Sequence, residues 1–101
     1  MDKLTAVKRI TIYADSGLEQ HLLDKVCKFG AKGYTLLDAR GAGSRSVMTN
    51  VFGRSPLVRI EVIANEATAQ RIVSHLRSDV LGLQAVTVTV EDVKVIRADH
   101  F

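Results

Sequence analysis

The stretch from Gly30 to Arg45, GAKGYTLLDARGAGSR, holds the densest set of residues in this chain that could do chemistry. Gly30, Gly33, Gly41 and Gly43 flank a short apolar run, and the last two lead directly into Ser44 and Arg45. Glycine lets backbone approach a ligand closely and adopt positive φ, and successive N–H groups in such turns make a nest for anions. Phosphate is the natural guest, with Arg45 adding a charged contact that can be bidentate. Paired glycines alone describe a flexible hairpin connection with a solvated arginine equally well. Loop length favours the ligand: connections beyond about 12 to 15 residues are uncommon in compact domains unless functional, and the one expected at about residues 40–56 is that long.

Charge points to the same place. Arg40, Arg45 and Arg54 lie between Ala39 and Leu57 with no acidic residue among them. The whole chain carries 14 Lys and Arg against 11 Asp and Glu, a net +3 that by itself supplies no nucleic-acid footprint. Other chemistries find less support. His21, His75 and His100 are scattered and Cys27 is the single cysteine, so neither a zinc site nor a disulfide framework is expected. His21 and His75 sit at surface helical positions with no partner evident and are expected to be solvated. Cys27 reads as a small packed residue rather than a nucleophile. Without a paired acid and base, no catalysis is expected.

The elements that must position the glycine-rich stretch are readable from hydrophobic period. Ile10, Ile12 and Ala14 alternate with Arg9, Thr11 and Tyr13, predicting a half-buried strand over Val7–Ala14. Ser16 with Glu19 three residues on has the form of a capping box, after which Leu18, Leu22, Val26 and Phe29 predict a helix stopped by Gly30. A second strand is expected from Tyr34 to about Ala39 and a third from Leu57 to Ile63. Asn65 can cap a second helix with the stripe Ala69, Ile72, Val73, Leu76 and Val80, ending near Gly82. Val86, Val88 and Val90 alternate with threonines and continue to Val95 as a fourth strand. The order βαββαβ predicts an α+β, ferredoxin-like fold, two helices on one face of an antiparallel sheet.

With 101 residues, 47% apolar and 25% charged, one globular domain spanning 1–101 is expected, with neither a membrane span nor a signal peptide, and hence cytoplasmic. The sheet face away from the helices would carry Arg9, Thr11, Tyr13, Arg59, Glu61, Ile63, Thr87 and Thr89. That mixture suits subunit packing, with a solvated sheet face as the alternative, while Tyr13 alone supplies too little stacking surface for an RNA-binding domain.

The pattern Gly30, Gly33, Thr35, Gly41, Gly43 resembles the second-strand signature of PII signalling proteins. The run GAKGYT followed by GxGSR is similar to PII-like regulators tied to inorganic-carbon uptake, most of all the carboxysome-associated PII-like (CPII) branch. This resemblance implies a homotrimer with adenine-nucleotide sites in the clefts between subunits, and a long T-loop that contacts a target. It assigns Thr35 to the adenine end, Gly41 and Gly43 to the chain reversal beside the phosphates, Ser44 and Arg45 to the phosphates, and Glu61 to the ribose. It also implies that the backbone of Gly82, Leu83, Gln84, Ala85 and Val86 approaches the nucleotide.

Two departures refine the expectation. The nitrogen-regulating PII proteins carry a glycine-rich loop with a lysine before the last strand, which LGLQAV lacks, so ADP or AMP is expected rather than a triphosphate, with Lys94 and Arg97 as weak substitutes. The loop has no tyrosine, so a uridylylation switch cannot operate there. The carbon-linked resemblance implies bicarbonate as a second ligand, and a bicarbonate transporter or carboxysome-associated protein as target. Hydrogen exchange is expected to show the 40–56 loop mobile without ligand, its Val47, Met48, Val51 and Phe52 free to meet a partner. The alternative is a nucleotide-independent protein-interaction module on the same scaffold.

Overall fold

A computed structural model describes residues 3–41, 55–80 and 86–96. Along the chain come β1 (Thr5–Asp15), a single 3-10 turn (Ser16–Leu18), α1 (Glu19–Lys28), β2 (Thr35–Gly41), β3 (Ser55–Ala64), α2 (Glu66–Val80) and β4 (Thr87–Val95). The strands pair antiparallel in the order β2-β3-β1-β4, which is the expected ferredoxin-like arrangement.

Period-two alternation decides which side of each strand meets the helices. Ile10, Ile12 and Ala14 of β1 lie in register with Val62, Ile60 and Val58 of β3, and all six are buried. From the helices, Leu22, Leu23 and Val26 of α1 and Ala69, Ile72 and Leu76 of α2 close over them. Each fully buried side chain of this size contributes about 1.5–3 kcal/mol, so this one layer holds the sheet to the helices.

The helix ends show local physics at work. Asp15, rather than Ser16, caps the turn that leads into α1, its Oδ1 accepting from the Gly17 N–H at 2.8 Å. The predicted Ser16–Glu19 capping box does not form, because the 3-10 turn takes up Ser16–Leu18 and α1 proper starts only at Glu19. At the other end Gly30 adopts φ 116° while the Ala31 N–H reaches back to the Val26 carbonyl at 3.0 Å, a six-to-one closure. Asn65 caps α2 as expected: its Oδ1 accepts from the Thr68 N–H at 2.8 Å.

The strands run further than their patterns suggest. Arg40 and Gly41 pair with Pro56 and Ser55, so four residues assigned to the loop at about 40–56 belong to the β2–β3 ladder. His21 and His75 are not simply solvated. His21 Nε2 lies 2.6 Å from Asp79 Oδ2, and the His75 ring stacks on Phe29 with centroids 3.4 Å apart. Cys27 is exposed rather than packed.

Candidate functional site

The sheet face opposite the helices is built in rows fixed by strand register. Thr35, Glu61, Thr11 and Thr89 form one row across β2, β3, β1 and β4, and Leu37, Arg59, Tyr13 and Thr87 form the next. Its charges are internally paired. Arg9 Nη2 donates to Glu91 Oε1 at 2.7 Å, and Arg59 Nη2 lies 2.6 Å from Glu61 Oε2 with its guanidinium carbon 5.6 Å from the centre of the Tyr13 ring. Hydrogen bonding to Glu91 holds the Arg9 guanidinium even more firmly charged than usual. Two polar atoms on this face, Thr11 Oγ1 and Arg59 Nε, are buried without a hydrogen-bond partner.

Of the residues singled out in the sequence, Thr35 and Glu61 are direct cross-strand partners on this face. Gly41 is the last residue of β2, paired with Ser55, at the far end of the same ladder. It is not itself a reversal: a Cβ there would stand 3.2 Å from Leu57 Cδ1, so its immediate service is to let Leu57 pack. Val86 precedes β4 and packs partly buried against the core. Gly43, Ser44 and Arg45, and likewise Gly82, Leu83, Gln84 and Ala85, lie outside the described residues.

These positions fall into two groups at opposite edges. The ladder registers place Gly41 and Ser55 at the same end of the sheet as Val86 and Thr87, but β2 and β4 are the two outer strands. Three strand spacings separate them, about 14 Å. Both outer strands expose apolar side chains, Leu36 at 39% and Leu37 at 42% on β2 and Val90 at 46% on β4. A groove of about 340 Å³ does open between α2 and β4, walled by Val73, Val90, Lys8 and Glu66, yet none of the residues assigned to the nucleotide lines it. Among the described residues no group of three His, Cys, Asp or Glu could hold a metal, and no helix is long and apolar enough to cross a membrane.

The family model for nitrogen regulatory protein P-II matches residues 7–100. The chain belongs to the P-II family. It is 40% identical to a candidate PII-like signalling protein of Thermus thermophilus, covering 100% of this chain and 99% of that one, with a TM-score of 0.81. CPII of Thiomonas intermedia shares the PII fold at lower identity. Its structure bound to ADP and bicarbonate is 21% identical, covers 100% of this chain and 99% of that one, and has a TM-score of 0.84. Its structure bound to ADP, AMP and acetate is 23% identical over 98% of this chain and 97% of that one, with a TM-score of 0.81. No curated protein matches. The PII resemblance carried by Gly30–Arg45 thus holds for the chain as a whole.

The sequence places Tyr13, Arg59 and Arg9 on a face suited to subunit packing and gives them no role toward the ligand. The signal that could have flagged them is the alternation Arg59, Glu61 on one strand face, an i, i+2 pair of opposite charge.

Proposed function

We propose that this PII-family chain is a non-enzymatic signalling protein that binds ADP or AMP, together with bicarbonate, in clefts between the subunits of a homotrimer. The observation that carries this reading is the split of the candidate residues between opposite sheet edges. Thr35, Gly41 and Glu61 lie on β2 and β3, whereas the segment ending at Val86 enters β4. One chain holds its two half-sites apart; a second copy that sets its β4 edge beside this β2 edge brings complementary halves together. Leu37, exposed on the β2 edge of the face opposite the helices, and the unmatched Thr11 and Arg59 atoms beside it suit a face that is covered on assembly.

The ligands follow from chemistry and likeness together. A threonine hydroxyl beside a carboxylate suits an adenine–ribose unit, and the Gly41–Arg45 run suits its phosphates. CPII, with the same fold, is bound to ADP and bicarbonate, and in another complex to ADP, AMP and acetate. Signalling to a cytoplasmic partner in inorganic-carbon metabolism would then pass through residues 42–54, which join β2 to β3.

Titration calorimetry with ADP and AMP, with and without bicarbonate, tests the ligand reading, and light scattering tests the assembly. Saturable binding by a particle of three chains is expected. A monomer at micromolar concentration, or no adenine-nucleotide binding under any of these conditions, would leave a protein-interaction module instead.

A further inference from the structure

We propose that Arg59 is a positioning residue that sets Glu61 for ribose recognition, an inference that rests on the nucleotide-binding reading above. Three observations meet on this arginine. Its Nη2 holds Glu61 Oε2 at 2.6 Å, its guanidinium lies over Tyr13 at 5.6 Å, and its Nε is buried without a partner. A buried N–H left unmet is unfavourable. The side chain nevertheless keeps this pose, so Glu61 and Tyr13 decide where it sits.

The pose has consequences for Glu61. Its side chain is 24% exposed and lies in register with Thr35, the other residue assigned to the nucleoside. With Oε2 taken by the guanidinium, the carboxylate plane is fixed and Oε1 is the oxygen left to accept from a sugar hydroxyl. A ribose diol offers O–H donors, and an ionised carboxylate only accepts, so the match is direct. The guanidinium also offsets a negative charge that would otherwise oppose an incoming phosphate chain. Arg9, the neighbouring cation on this face, is occupied by Glu91, so Arg59 is the residue that does this for Glu61.

The test compares ADP with 2′-deoxy-ADP and 3′-deoxy-ADP by calorimetry. The parent is expected to prefer ADP over one or both deoxy analogues by roughly tenfold, the effect of a charge-assisted hydrogen bond. Arg59→Gln should bring that ratio close to one, and Arg59→Lys, which keeps the charge but loses the planar fork, should fall between. Glu61→Ala should abolish the preference, and adding Arg59→Gln to it should change the ratio no further, because one residue acts through the other. Thermal melting and light scattering of each variant establish that fold and assembly persist. Should Arg59→Gln not fold, Arg59→Lys decides: a parental ratio there overturns the inference. An unchanged ratio in Arg59→Gln, or losses that simply add in the double variant, would overturn it as well. A parent that binds ADP without ribose preference removes this inference and leaves nucleotide binding standing, while a parent that binds no adenine nucleotide removes both.

Discussion

Gly30 and Gly33 belong to the same glycine signature, yet the structure assigns them unequal stakes. Gly30 sits at φ 116°, and a Cβ built there would stand 3.1 Å from Thr68 Cγ2 and 3.2 Å from Arg71 Nη2. Thr68 is only 7% exposed and has little room to give, and the shift forced on the Arg71 end weakens its 3.0 Å hydrogen bond to Thr68 Oγ1. A side chain in this backbone region costs about 1–3 kcal/mol, and the weakened hydrogen bond adds about 0.5–1.5 kcal/mol. Gly30→Ala should therefore destabilise the protein by about 1.5–4.5 kcal/mol, each kcal/mol lowering the melting temperature by roughly 4–8 °C for a domain of this size. Gly33 has no atom within 4 Å of a built Cβ and does not share the positive φ. Gly33→Ala should stay within about 0.5 kcal/mol of the parent. Urea unfolding followed by circular dichroism at one fixed protein concentration measures both, since assembly makes apparent stability concentration-dependent. Equal losses at the two positions, or a neutral Gly30→Ala, would refute the assignment of Gly30 to helix termination.

Asp79 should make stability sensitive to acid. A hydrogen bond from His21, then the charges of His21 and Lys25, hold its carboxyl below the ordinary 3.8. A lowered folded-state pKa contributes stability that is fully present above the unfolded value and is lost as pH falls through the folded one. The advantage of the parent over Asp79→Asn should hold from neutral pH to about 5 and shrink below 3.8; urea titrations across that range would count against the pairing if the difference stayed constant. Arg45→Ala, outside the described residues, should weaken ADP binding roughly ten- to a hundredfold with the fold intact. Arg54→Ala should act mainly through long-range attraction that salt screens, so calorimetry at two ionic strengths separates the two arginines.

Much of this fold is legible in the chain because core formation imposes a period. Ile10, Ile12 and Ala14 announce β1, Asn65 announces the start of α2, and Gly30 announces the end of α1, since each is decided by residues a few positions away. The order βαββαβ then leaves few sheets to choose from. The glycine run from Gly30 to Arg45 was enough to bring out the PII resemblance. What escaped a linear reading were contacts between distant residues. His21 meets Asp79 across 58 positions and Arg9 meets Glu91 across 82, so neither histidine solvation nor an unpaired sheet face could be judged from neighbours. The extra ladder pairs Arg40–Pro56 and Gly41–Ser55 escaped for a related reason, because strand ends are set by the partner strand rather than by local pattern, whereas the Asp15 cap is local and was hidden by Ser16, an equally good capping residue beside it.

The sequence by itself determined which residues are apolar in strand and helix period, where α1 stops and α2 starts, and which glycines and charges are available for a ligand. Only the tertiary structure decided that Thr35 faces Glu61 across one ladder, that Arg59 holds Glu61 from two positions along the same strand, and that β4 lies at the opposite sheet edge from β2. Local propensity acts over a few residues, whereas strand order and register are set by whichever pairing buries the shared core, and the site inherits its geometry from that choice.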